Sequence, residues 1–394
     1  MLPVDINNIR IEDLQHLIDE SFLEMKTLEY KRDLPGNSDG DKKEFLSDVS
    51  SFANSNGGDL IYGIREEDHF PKELVGVVVS DVDEETRRLD GIIRDGIRPR
   101  IPNVSINPIK ISDDKFAFVI RIHKSWLNPH MVTFRGGSKF FARASNGKYQ
   151  LDVDELRSAF TLSESKITRI KEFVQTRLSE ILSNNYPLPM NDYPKISMHI
   201  VPLSSIELQM PDNFNVLNTI AIFPLCSAGA NPAYTADGFL SYSPGQENGP
   251  SKGYVLVFRN GSIEAVSSIL SEYDKEPVLA LPYLENQILG GIKNYTKIMK
   301  ILNIEPPAYI FIHLIGVKGL GLPRSGPYFG IRSIPIQRDF ITLPSVELLI
   351  YGIEDDDDEC EYLASTVKLP FDALANAVGL PRSMSYDDNG NWIR

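Results

Sequence analysis

The residues with the clearest chemical potential are acids. Glu24 and Glu29 stand five positions apart, Lys31 follows closely, and Glu66 comes just after the apolar run Leu60-Ile61-Tyr62-Gly63. Carboxylates brought together repel unless a positive group lies between them. Mg²⁺ or Mn²⁺ is the usual solution: it takes oxygen ligands and activates water or stabilises charge on phosphate oxygens. The sequence therefore predicts a metal site at Glu24, Glu29 and Glu66, with Glu67, Asp68 and Asp59 as other choices for the third ligand. Lys31 shares a strand face with Glu29 and is placed to contact a phosphate or a leaving group.

A second group is basic. Pro129 to Phe134 and Lys139 to Arg143 read as two arms of a hairpin joined by Arg135-Gly136-Gly137-Ser138. Arg135, Lys139 and Arg143 alternate with Phe134, Phe140 and Phe141, a pattern that can track a phosphate backbone and stack on bases. Arg98 and Arg100, with Arg94, extend this patch. His130 reads as a hydrogen-bonded core histidine, and no partner for His69 or His123 is legible. GVKGLG (316–321) lacks the strand–loop–helix context of a dinucleotide loop, and there is no GxxxxGK[ST] phosphate loop.

The elements that must position these groups are visible in the apolar periodicity. A short helix is expected over 9–19 and a strand over Thr27–Lys31. A helix capped by Asp41 buries Phe45, Leu46, Val49 and Phe52, and stops at Asn54-Ser55-Asn56-Gly57-Gly58, where Gly57 or Gly58 supplies a left-handed turn. A buried strand follows over 59–64, with Arg65 to Asp68 leaving it. If strands 27–31 and 59–64 lie side by side, the acids meet at one end. Further on come a helix over 81–97, paired strands over 104–111 and 115–123, the hairpin, and helices over 152–160 and 164–182.

Residues 184–194 carry three prolines and read as a linker. The expected organisation is α+β: an N-terminal mixed sheet with helices over 1–183, the linker, and a second, β-rich α+β domain over 195–394. Within that second domain Pro282 to Leu302 reads as its one clear helix, Arg259-Asn260-Gly261 as a hairpin corner, and 308–317 and 346–353 as strands. The acidic run Glu354 to Glu361 reads as a solvated loop, because it lacks the sixth-position Gly and alternating ligands of a calcium loop.

Composition narrows the function classes. A net charge of −14 argues against coating nucleic acid by bulk attraction, so any such contact needs a local basic patch. No apolar run reaches membrane-spanning length, the N-terminus lacks a secretory pattern, and the two cysteines, Cys226 and Cys360, form no framework. A cytoplasmic protein is expected.

The stretch 10–162 resembles the Schlafen-type AlbA_2 domain. The resemblance rests on Glu24-x4-Glu29-Tyr30-Lys31, the helix ending FANSNGG, the strand GGDLIYGI, Pro129-His130 and the hairpin FRGGSKFFAR. It implies a nucleic-acid-binding fold and, in the nuclease branch, cleavage of RNA, notably transfer RNA, by three metal-binding acids. Glu24 and Glu29 match the first two. The third falls on Glu66 or its neighbours, with Arg65 where some members carry an acid. The resemblance implies a role in bacterial antiphage defence, RNA rather than DNA as partner, and a homodimer, since animal members pair two such lobes and this chain has one. Its alternatives are a non-catalytic nucleic-acid-binding regulator and a protein that acts through partners of its C-terminal domain.

Overall fold

The computed structural model describes residues 2, 6–102, 104–144, 147–208, 210–211, 213–227, 229–245, 249–269, 271–273, 276–323, 333–349 and 356–393. The fold is α+β, in two compact units, 1–165 and 166–394.

In the first unit, α1 (Ile11–Asp19) precedes β1 (Leu28–Lys31), α2 (Asp39–Ala53) and β2 (Gly57–Tyr62). β1 and β2 are parallel, with Glu29 opposite Leu60 and Lys31 opposite Tyr62, so the side-by-side strands expected from the sequence are present. The cap of α2 is Ser38, whose Oγ accepts from the Asp41 backbone N–H at 3.1 Å; the predicted cap, Asp41, lies inside the helix. Residues 64–67 do not simply leave the strand. They form β3 (Ile64–Glu67), which turns back through Asp68-His69 into β4 (Phe70–Leu74).

β5 (Val77–Val78), α3 (Val82–Gly96), β6 (Ile97–Arg98), β7 (Val104–Lys110) and β8 (Lys115–His123) follow. β8 pairs antiparallel with β2, with β5 and with β7, completing one sheet. Alternation sorts its side chains. Leu60, Tyr62, Phe118, Ile120 and Ile122 pack with Phe45, Val49 and Phe52 of α2 and Leu89 and Ile93 of α3. Tyr30, Ile61, Ala117 and Val119 pack with Leu14 and Leu17 of α1. Because Leu28 and Tyr30 take the α1 face, Glu29 and Lys31 must take the α2 face.

The predicted basic hairpin is β9 (Met131–Val132) and β10 (Lys139–Ala144), with a 3₁₀ turn at Phe134–Gly136. With β11 (Gly147–Gln150) and β6 it makes a second sheet, ordered β11-β10-β9-β6. The two helices expected over 152–160 and 164–182 are one, α4 (Val153–Leu182), and the division between the units falls inside it.

Among the described residues, the second unit is built on an antiparallel sheet of eight strands. Its members are β12 (Lys195–Pro202), β13 (Asn231–Tyr234), β14 (Gly238–Ser243), β15 (Gly253–Phe258), β16 (Ile263–Ser268), β19 (Ala308–Ile315), β20 (Phe340–Thr342) and β21 (Val346–Leu348). β17 (Ser271–Tyr273) and β18 (Glu276–Val278) form a separate hairpin. α5 (Leu281–Ile301) and α6 (Asp356–Ala377) contribute to a core with Met198, Val255, Ala265 and Ile312. Ile181 of α4 packs on the other face with Leu240, Tyr254 and Leu256.

α6 corrects the expectation of a single helix in this half. The described part of the acidic run, 356–361, is its first turns and not a loop, and Glu359 is buried there, 3.7 Å from Lys293. The negative charge at a helix N-terminus is favoured by the helix dipole, so an acidic run followed by an apolar stretch is also a helix start. Residues 350–355 of the predicted strand and run lie outside the described residues.

Candidate nucleic-acid site

The polar run at the end of α2 is a clamp. Asn54 Nδ2 donates to the His130 and Phe141 carbonyls at 2.9 and 2.8 Å, and Asn54 Oδ1 accepts from the His130 N–H at 2.6 Å. Ser55 Oγ accepts from the Arg143 N–H at 2.8 Å. Gly57 then takes φ +71°, and a Cβ there would sit 2.5 Å from the Lys124 nitrogen, so this corner excludes side chains. The second sheet is thereby fixed against the helix end. His130 is the predicted core histidine: fully buried, Nδ1 2.7 Å from the Pro99 carbonyl, and pushed down to about 4 by burial, which outweighs that hydrogen bond.

The clamp brings Arg143 to Glu29. The guanidinium lies 4.1 Å from the centre of the Phe52 ring, and Nη2 donates to Glu29 Oε2. Lys31 Nζ approaches Glu29 Oε1 at 2.9 Å. Burial alone would raise the Glu29 carboxyl, but Arg143 and Lys31 outweigh it and hold the group below its ordinary value. Cross-strand from Arg143, Lys148 reaches the buried Asp48 at 2.7 Å.

Glu24, in the segment before β1, is placed by that strand and by the β3–β4 turn. Its Oε1 accepts from the Tyr30 N–H at 2.9 Å, and its Oε2 lies 2.7 Å from His69 Nδ1. The Glu24 N–H donates to the His69 carbonyl at 2.9 Å. Asp68 and His69 have φ of +55° and +66°, the left-handed pair of a tight hairpin turn that asparagine and glycine usually fill. Two non-glycine residues there cost on the order of 1 kcal/mol each. The hydrogen bond and charge of Glu24 raise the His69 imidazole above its ordinary value.

Glu24, Glu29, His69, Arg143 and Lys148 line one cleft of about 260 Å³, closed by Leu23, Met25 and Gly147. Arg143 is nearly fully buried there, and its Nε and Nη1 have no hydrogen-bond partner among the described residues. Both atoms are closed to solvent, and buried donors of a charged group without acceptors are costly.

The other predicted residues are placed differently. Glu66 is exposed, and its Oε2 accepts from the His69 N–H at 3.0 Å, so it supports the turn. Asp59 forms a paired bridge to Arg121 at 2.8 and 2.9 Å. Arg135 and Lys139 are exposed on the hairpin, with Arg135 3.3 Å from Asp39. Arg98 turns its Nη1 to the carbonyls of Arg94 and Ile97, and Arg100 is exposed. Strand register puts Arg98 beside Met131 and Phe140, and Lys139 beside Val132, so Arg98 and Lys139 occupy opposite faces of their sheet. Arg143 is a buried cleft residue and not the exposed backbone contact its place in the hairpin suggests.

The expected Mg²⁺ or Mn²⁺ set of Glu24, Glu29 and Glu66 is not matched by this geometry. Glu29 faces two cations, Glu24 faces an amide and an imidazole, and Glu66 faces a backbone N–H. Among the described residues no three His, Cys, Asp or Glu side chains are placed to share an ion. His69 is the residue that sequence reasoning missed. Its signal was indirect: a non-glycine residue where a two-residue turn follows the strand carrying the acids.

Residues 24–152 match the family model described as Schlafen, AlbA_2. Within the first unit, residues 24–152 carry the Schlafen AlbA_2 domain. The match covers the cleft apart from Leu23, both sheets and the clamp, and stops before α4. Among curated proteins nothing matches this chain. Among solved structures, the DIP2311 protein from Corynebacterium diphtheriae is similar at 15% identity, with a TM-score of 0.25, over 36% of this chain and 26% of that one. The likeness thus spans about a quarter of that protein's length. Among the described residues no helix is long and apolar enough to cross a membrane.

Proposed function

We propose that the AlbA_2 unit binds a phosphodiester backbone, RNA in preference to DNA, and cleaves it in the Glu24–Glu29 cleft as a Schlafen-type endoribonuclease, with transfer RNA as the first substrate to test. The observation that carries this reading is the cleft itself: Arg143 and Lys148 bring positive charge to the same opening that holds Glu24, Glu29 and His69. The exposed Arg135, Lys139 and Arg100 extend the positive surface along which a strand can run. With a net charge of −14, attraction has to be local, and these are local groups.

The test is transfer-RNA binding as a function of salt. Each phosphate contact contributes a slope of roughly −0.7 to −0.9 to the logarithm of affinity against the logarithm of salt. A slope of at least two contacts is expected, reduced by about one contact in Arg135→Ala or Lys139→Ala. Affinity independent of salt would sink the reading. A second reading, a regulator that binds without cleaving, is favoured by the neutralisation of Glu29 by Arg143 and Lys31. Intact RNA after prolonged incubation, with and without Mn²⁺, selects it.

A further inference from the structure

The cleft holds one side chain that the acid-only reading leaves unused. His69 lines the cleft together with Arg143 and Lys148, and its Nδ1 is 2.7 Å from Glu24 Oε2. A carboxylate on Nδ1 fixes the imidazole tautomer with the proton on Nδ1, leaving the Nε2 lone pair as a proton acceptor. The same carboxylate stabilises the imidazolium that forms when Nε2 takes a proton. Four contacts fix this arrangement. The His69 N–H is bound by Glu66, its carbonyl by the Glu24 N–H, its ring by Glu24 Oε2, and Glu24 in turn by the Tyr30 N–H. The ring sits on a turn of two left-handed non-glycine residues, a conformation that persists only where surrounding contacts impose it.

We propose that His69, oriented by Glu24, is the catalytic base of the cleft, and that the unit cleaves RNA by internal transesterification without a divalent ion. The proposal rests on the RNA reading above and deepens it. It is also the consequence of the misfit between these acids and a metal. Lys31 and Arg143 already supply the positive charge beside Glu29 that an ion would provide.

The step balances within the RNA. His69 Nε2 takes the proton of a ribose 2′-hydroxyl, and the 2′-oxygen forms a bond to the adjacent phosphorus. The bond from phosphorus to the 5′-oxygen breaks, and that oxygen takes a proton from water at the mouth of the cleft. His69 then returns its proton to solvent. The products are a 2′,3′-cyclic phosphate and a 5′-hydroxyl, and no oxygen from water enters either end. Arg143 and Lys148 line the same cleft and supply positive charge where negative charge grows on the phosphate oxygens. DNA lacks the nucleophile, so this chemistry selects RNA.

The experiment uses the full chain, transfer RNA labelled at its 5′ end, and excess EDTA. Wild-type protein is expected to cleave, leaving 2′,3′-cyclic phosphate ends. His69→Asn is the chosen variant, because asparagine tolerates the left-handed turn. It is expected to keep the thermal midpoint and the RNA affinity within about threefold, while the cleavage rate falls about 100-fold or more. RNA that is bound but stays intact in EDTA overturns the proposal, and so does His69→Asn cleaving at the wild-type rate. Ends carrying a 3′-hydroxyl overturn it as well. Failure to bind RNA at all removes the functional reading itself, and the proposal with it.

Discussion

Glu29 is held by Arg143, a residue 114 positions further along the chain. The contact depends on Asn54 and Ser55, which fasten the strand carrying Arg143 to the end of α2. A carboxylate on one sheet and a guanidinium on another are thus joined by a third segment that touches neither charge.

This pair is expected to be hard to break from one side. Arg143→Met leaves Glu29 in a half-closed cleft with Lys31 as its remaining partner. Removing one member of a buried pair costs about 3–5 kcal/mol. Urea unfolding of Arg143→Met should show a loss of that order, and the double variant Glu29→Gln/Arg143→Met should recover much of it. A double variant no more stable than Arg143→Met would contradict the account.

Asn54→Ala removes three hydrogen bonds that join the helix end to both strands of the hairpin. It also leaves the buried backbone groups of His130 and Phe141 short of partners. A loss of about 2 kcal/mol or more in chemical denaturation is expected, with hydrogen exchange rising first in 130–143. A change under about 0.5 kcal/mol, the range of ordinary surface substitutions, would show that the clamp is dispensable.

The second unit should lose stability in acid. Glu264 is fully buried and accepts from Arg177 at 2.9 and 3.1 Å, His199 at 3.0 Å and Tyr254 at 2.8 Å. Burial alone would raise its carboxyl, but the hydrogen bonds of His199 and Arg177 hold it down at about 2 from an ordinary 4.5. A lowered carboxyl contributes stability that is full above the unfolded value and is lost as pH falls from about 4.5 toward 2. His313, pushed down to about 4 by burial and then by His199, adds a loss between its ordinary 6.5 and 4, because the unfolded chain takes that proton first. Between pH 6.5 and 4.5 the loss from His313 is opposed by Glu285, so the thermal midpoint of the unit should fall chiefly below about pH 4.5. Glu264→Gln should lower it at pH 7 by on the order of 3 kcal/mol of stability and flatten the dependence below pH 4.5. An unchanged acid profile in that variant would refute the assignment.

Glu285 behaves in the opposite sense. It is buried in α5, and burial pushes its carboxyl up to about 7 against the hydroxyl donors of Ser383 and Ser385. A raised carboxyl favours the folded state below its unfolded value, and that contribution is lost as pH rises from 4.5 through 7. Glu285→Gln should therefore raise the thermal midpoint at pH 8 and change it little at pH 5. Equal shifts at both pH values would exclude a buried carboxylate as the cause.

How much of this was legible beforehand depends on how local each cause is. Leu28 and Tyr30 alternate with Glu29 and Lys31, and that alternation alone assigns the acid to the α2 face. Phe45, Val49 and Phe52 recur at helical spacing. The helix stops at Ala53 with Asn54 as its C-cap, and Gly57 makes the corner that starts β2, where a Cβ would strike the Lys124 backbone. The ion pair of Asp59 with Arg121 and the burial of Arg143 follow from strand register, which no short window contains. α6 escaped because an acidic run reads as solvent-loving and Pro370 interrupts its pattern, whereas its core contacts with Leu363, Val367 and Phe371 are tertiary.

By itself, the sequence determined that Glu24 and Glu29 flank the same bend and that Glu29 shares a strand face with Lys31, since apolar periodicity and turn chemistry act over a few residues. Only the tertiary structure decided what those acids face. Arg143 and His69 reach them from a different sheet and from a hairpin turn, through contacts spanning 114 and 45 positions. Coulomb energies and hydrogen bonds depend on distance in space, and that distance is set when the sheets pack, not by spacing along the chain.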